Sequence, residues 1–313
     1  MTRLTASRFA PLLLLGALLL LLPLLFPSGF YYRIAALVWI SGLAALGLNI
    51  LMGQAGQVSL GHAGFFGIGA YAVAIGPAHL GLHPLLAMLL GALLAGLIAW
   101  LVGRPILRLK GYYLAIATLG FGVLVALVIT SESRLTGGPD GMAVERIELL
   151  GWRIRGAETW YWITGAVLLI GVWLALNLED SPAGRALRAL HDSEVAAAVV
   201  GVDLAAFKLE AFVLAAVYAS IAGSLLASMN AFVTPDVASF LTSVEFVTMV
   251  VVGGMGSVTG SVLGAALLVT LPQLLTVFQE YEHALLGLAI MLVMIFLRQG
   301  IVPSLARALG RAG

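Results

Sequence analysis

"PLLLLGALLLLLPLLF", residues 11 to 26, runs for sixteen positions without a charged or hydrogen-bonding side chain. Wound as a helix it has no polar face, so a soluble domain would have to enclose it on every side. A chain of 313 residues cannot do that for this stretch and for the several others like it. The remaining solvent for such a helix is lipid. Hydrophobic residues make up 61% of the chain and charged ones 10%, with a mean hydropathy of +1.08. Apolar runs of about 20 residues, the length that crosses about 30 Å of hydrocarbon, recur from end to end. The expected fold is all-α: a polytopic helical membrane protein, one transmembrane domain over residues 1–313.

Hydropathy, with breaks at glycine, proline and charge, predicts about ten spans, near 9–27, 34–52, 58–76, 84–102, 111–130, 160–178, 207–229, 242–255, 260–277 and 284–297. No small-residue cleavage site follows the first promptly, so it is expected to be an uncleaved span. With no cysteine, the chain can form neither a disulfide nor a thiolate metal site. A net charge of +1 carries no signature of nucleic-acid binding.

Orientation follows from lysine and arginine, which resist translocation where they flank a span. One side collects eleven of the 16 basic residues: Arg3, Arg8, Arg104, Arg108, Lys110, Arg185, Arg188, Lys208, Arg298, Arg307 and Arg311. The other side holds Arg33, Arg134, Arg146, Arg153 and Arg155, together with nine of the 15 acids. Both termini are therefore expected on the cytoplasmic side.

Two polar segments interrupt the spans. The external one, 131–159, opens on a turn with Pro139 and Asp140 at its centre and Gly141 closing it, then alternates in the manner of a hairpin. It reads either as a connector or as a docking element. The internal one, 179–206, holds two short helices: Ser181 caps the first with Pro182 at its start, and Asp192 or Ser193 caps the second, which ends at Gly201. Asp203 caps the span that follows. This Ala-rich knob, with Ala196, Ala197 and Ala198, suits either a partner's cleft or, through Arg185 and Arg188, an anionic lipid surface.

The polar stretch "GQAGQVSLGHAGFFGIGAYAVA", 53–74, and the glycine-broken "VVGGMGSVTGSVLGA", 251–265, each straddle the break between two spans and run into them. Glycines at spacing four allow close helix packing. Gln54, Gln57, Ser59 and His62 exceed what packing needs, and broken helices at membrane depth are tolerated beside a wet cavity. Gln54, Gly56, Gln57, Ser59, His62, Gly253, Gly254 and Gly256 are accordingly the candidate translocation path, with interhelical hydrogen bonding as the competing reading. The five histidines fall in different segments, no HExxH, GxSxG or phosphate-cradling motif is present, and no catalytic residue is expected. A self-sufficient secondary transporter would be expected to hold a buried carboxylate for ion coupling, and Glu245 is the nearest to a span's centre.

Further motifs stand in order along the chain: "GQVSLGHAGFFGIGAYA", "GYYLAIATLGFG", "LTGGPDG", "GRALRALHDSEVAAAVVGVDLAAFKLEAF", "VTPDVASF" and "VVVGGMGSVTGSVLGAALLVTLPQ". Over roughly residues 31–300 the chain resembles the LivM-type permease subunits of branched-chain amino-acid ABC importers. The resemblance implies a heteromer with a LivH-type permease, two cytoplasmic ABC ATPases that use the ATP, and a periplasmic solute-binding protein, with no cofactor on this chain. It makes the knob, with Arg185, Arg188, Glu194, Ala197 and Gly201, the ATPase coupling segment. Relatives of this type also carry urea, short amides or aromatic acids. Two departures stand out: Val123, Leu124 and Val125 where an acidic residue is expected, and Arg298, Gln299 and Gly300 without the expected proline.

Overall fold

A computed structural model describes residues 10–26, 28–149, 152–274 and 300–304, with isolated positions between 287 and 297. Among the described residues, six helices are long and apolar enough to cross a membrane. They are α2 (Gly29–Asn49, prolonged by a π turn over Ile50–Gln54), α3 (His62–Leu80), α4 (Pro84–Ile106), α5 (Tyr112–Ser131), α6 (Ala157–Asp180) and α9 (Leu204–Asn230). Three shorter apolar helices join them: α1 (Ala10–Leu25), α10 (Phe240–Gly253) and α11 (Val258–Leu274). The expected last span, 284–297, and the basic residues Arg3, Arg8, Arg298, Arg307 and Arg311 lie outside the described residues.

At the centre, α2, α3 and α9 pack through small side chains: Ala44, Ala45, Ala70, Ala216, Ala219 and Ala222 are all fully buried. The backbones approach so closely that a Cβ on Gly69 would lie 1.9 Å from the Ser220 carbonyl oxygen. That approach lets Ser224 Oγ donate to the Gly69 carbonyl at 2.9 Å, a hydrogen bond between the two helices. α4 and α5 are the least enclosed, with 28% and 22% of their most apolar windows buried. Their outer faces need lipid or another chain.

The structure corrects the span expected at 58–76. Helix α2 loosens into the π turn at Ile50, the chain is irregular from Ala55 to Gly61, and α3 starts only at His62. Gly56, at φ +66°, takes the left-handed conformation that turns the chain. The freed backbone groups are met by side chains from other helices: Leu60 N–H donates to Thr118 Oγ1 of α5, and Ala63 N–H to Ser243 Oγ of α10, both at 3.0 Å. A backbone broken inside a bundle persists only with such partners.

The expected turn at one end forms, with Gly141 N–H donating to the Gly138 carbonyl at 3.2 Å. Strand β1 (Met142–Ala143) then pairs antiparallel with β4 (Phe232–Val233), and β2 (Glu148–Leu149) pairs with β3 (Trp152–Arg153) as the anticipated hairpin. His79 and His83 pin this loop, donating from Nε2 to the carbonyls of Leu135 and Glu148.

Candidate functional site

At the opposite end, the two glycine-broken segments meet. Asn49, the last residue of α2 and fully buried, accepts at Oδ1 from Gly256 N–H (2.8 Å) and donates from Nδ2 to the Ser257 carbonyl (3.1 Å). A Cβ on Gly53 would stand 2.2 Å from Gly256 N, so only glycine lets the two backbones touch. The α10–α11 turn is equally close, since a Cβ on Gly253 would meet the Gly260 carbonyl at 1.9 Å. Gly253 and Gly254 are buried, and Gly254 N–H ends α10 on the Val250 carbonyl. Sequence reasoning passed over Asn49. A lone asparagine closing an apolar run was the available signal.

The polar residues of the 53–62 stretch are all enclosed, but differently occupied. His62 Nε2 donates to the Ala44 carbonyl at 2.9 Å, and its ring stands edge-on to Phe246. Gln57 Nε2 donates to the Ala55 carbonyl at 3.0 Å. Ser59 is buried. Gln54 differs: 3% exposed, it has no partner for either Oε1 or Nε2 among the described residues. An amide buried that way costs a few kcal/mol unless water, a ligand or a rearrangement meets it.

The knob abuts this region. Helix α7 (Pro182–Asp192) is capped by Ser181, whose Oγ accepts from Gly184 N–H, and α8 (Glu194–Val199) by Ser193, which accepts from Ala196 N–H. Asp203 caps α9 in the same way. Val202 N–H returns to the Ala197 carbonyl and Gly201 sits at φ +84°, the left-handed stop its identity announced. A Cβ on Gly56 would stand 3.0 Å from Nδ1 of His191, which places the end of α7 directly on the α2–α3 break.

Two residues of the knob face inward, toward the bundle. Ala197 is buried, so the surface presented outward is Val195, Val199 and Val200, exposed by 76%, 82% and 75%. Glu194 points inward too: its carboxylate takes Lys208 Nζ at 2.5 Å on one oxygen and Lys110 Nζ at 3.2 Å on the other. Burial alone would raise the Glu194 pKa, but the hydrogen bonds and charges of Lys208 and Lys110 outweigh it and hold the carboxyl below its usual range. Arg185 and Arg188 are exposed and donate to the carbonyls of Asp180 and Glu179 at the end of α6.

Comparison with known proteins meets this geometry. The family described as branched-chain amino acid transport system / permease component matches residues 30–296. The chain belongs to that family. It is 34% identical over 294 residues to the high-affinity branched-chain amino acid transport system permease protein LivM of Escherichia coli, covering 86% of this chain and 69% of that one. Its likeness to LivM of Salmonella typhimurium is the same, and the high-affinity branched-chain amino acid transport system permease protein LivH of E. coli is 22% identical over 284 residues, 83% of this chain and 90% of LivH. No solved structure matches. Family membership makes the chain a multi-pass membrane permease subunit.

Proposed function

We propose that the chain is a transmembrane subunit of an ATP-driven importer that moves branched-chain or related hydrophobic amino acids into the cytoplasm. Its partners are a LivH-type permease, two ABC ATPases that hydrolyse the ATP, and a periplasmic solute-binding protein. The knob and both termini face the cytoplasm of the inner membrane. The observation that carries this reading is the seating of the knob. Its outer cap of Val195, Val199 and Val200 suits a partner's cleft, Glu194 ties it to Lys208 at the base of α9, and His191 rests on the α2–α3 break.

A push on that cap is thereby delivered to two places at once. One is the first turns of α9, the helix at the core of the bundle. The other is the glycine contact between 53–57 and 253–257. A backbone already broken there can change its path without breaking a continuous helix, so rocking opens and closes the passage on the cytoplasmic side. Gln54, both of whose amide atoms lack a partner among the described residues, offers hydrogen bonds to the path, alongside Gly56, Gln57, Ser59, His62, Gly253, Gly254 and Gly256.

The test is reconstitution of this chain with ABC ATPases, a LivH-type permease and a solute-binding protein from the same organism, in proteoliposomes with labelled leucine, isoleucine and valine. Uptake that needs ATP and the binding protein is expected. Uptake without either supports a secondary carrier or a channel and overturns the reading.

A further inference from the structure

At the end of the bundle away from the knob, Arg33, Arg146 and Arg155 line one concavity of about 290 Å³, together with Trp160, Ser228 and Asn230. Three of the five basic residues assigned to this side thus converge on one spot of a face whose described acids include Glu132, Asp140, Glu145, Glu148, Glu158 and Asp236. Among the described residues none of the three meets a carboxylate within ion-pair distance. Arg33 reaches only Asn230 Oδ1, at 3.4 Å.

The hairpin makes the convergence more pointed. Glu148 pairs with Arg153, and Ile154 N–H donates to the Ile147 carbonyl, so the register sets Arg146 across from Arg155. Like charges directly opposite on two strands repel. No ion pair found among the described residues offsets that repulsion, whereas an anion between the guanidiniums would, through bidentate hydrogen bonds.

We propose that this socket receives a carboxylate side chain of the solute-binding protein, an inference that rests on the importer reading and its orientation. A free amino acid fits worse. Its ammonium group lies a few bonds from its carboxylate and would be pushed out by three guanidiniums. An aspartate or glutamate on a protein surface carries no such companion charge. The acids on the rest of this face repel an acidic partner everywhere else, which steers it to one place.

The experiment titrates the importer, reconstituted in zwitterionic lipid, with its purified binding protein and reads ATP hydrolysis. The variants are Arg33→Gln, the pair Arg146→Gln with Arg155→Gln, and Arg155→Lys. For the pair, the half-stimulating concentration should rise roughly tenfold and its salt dependence should flatten, with basal and maximal rates unchanged. Arg33→Gln, outside the hairpin, should shift it in the same direction, and Arg155→Lys less. Unchanged half-stimulation overturns the proposal. So does an effect confined to the cargo concentration dependence, which marks a cargo site, or one that appears only with added anionic lipid, which marks a headgroup site. If the hairpin pair fails to assemble, Arg33→Gln decides alone. A wild-type importer that its binding protein does not stimulate removes the importer reading itself, and the socket with it.

Discussion

Lys208 Nζ lies 2.5 Å from Glu194 Oε1, and its side chain is 5% exposed where the glutamate's is 27% exposed. A buried ammonium at the base of a membrane helix is thus neutralised by a residue of the knob, and Lys110 closes on the same carboxylate from the α4–α5 connection. The pair makes the knob a fixed extension of α9.

Glu194→Gln should therefore loosen the knob by leaving Lys208 buried without its counter-charge, a loss on the order of 1–3 kcal/mol. Proteolysis between 190 and 203 should quicken while the spans stay protected. Adding Lys208→Met should restore most of the protection, because the uncompensated charge goes with it. Equal sensitivity of single and double variants would show that the pair does not hold the knob.

The same pair sets a pH dependence. The folded-state pKa of Glu194 is lowered, so its contribution is complete above the ordinary carboxylate value of about 4.3 and fades as pH falls through the lower folded value. Protection of the knob should fall in that acid window in the wild type and stay flat in Glu194→Gln. A loss of protection on raising the pH from neutral would contradict the assignment.

Asn49→Leu should destabilise the bundle strongly. It leaves Gly256 N–H without its acceptor in a part-buried place, at about 1–3 kcal/mol, while the Ser257 carbonyl loses one donor and keeps Ser261 N–H. Thermal unfolding of the detergent-solubilised complex measures it. A shift no larger than that of a surface substitution would mean that water replaces the asparagine.

Gln54→Leu should behave in the opposite way, because no hydrogen bond described here is lost. Unfolding should be unchanged or slightly later, while uptake falls at least several-fold if the amide serves the passage. Undiminished uptake would remove Gln54 from the path.

Gly201→Val puts a branched side chain at φ +84° in open space, so strain of about 1 kcal/mol or more is its main effect. The end of α8 should fray and stimulated ATP hydrolysis should drop, with cargo preference unchanged. Full stimulation would show that ATPase docking does not depend on this turn.

The sequence by itself determined what local physics can specify. Apolar length placed the nine described hydrophobic helices. Ser181, Ser193, Asp203 and Gly201 announced the caps and stops of the knob, because a cap is settled within three or four residues of itself. The glycines of 53–61 announced that a helix would falter there, although the start of α3 was set too early. Hydropathy does not register a backbone whose hydrogen bonds are supplied by Thr118 and Ser243 from distant helices.

Only the tertiary structure decided the rest. Asn49 and Gly256 are 207 positions apart, and nothing in either neighbourhood predicts that they bond. The inward turn of Ala197 and Glu194 depends on which side of a six-residue helix meets α9, and so short a helix carries too little periodicity to reveal its buried face. The meeting of Arg33 with Arg146 and Arg155 needs a helix start and a hairpin brought to the same rim. Caps and spans are fixed by residues within a turn or two of one another. Contacts between spans are fixed by which small residues allow two backbones to touch, and that choice belongs to the whole bundle.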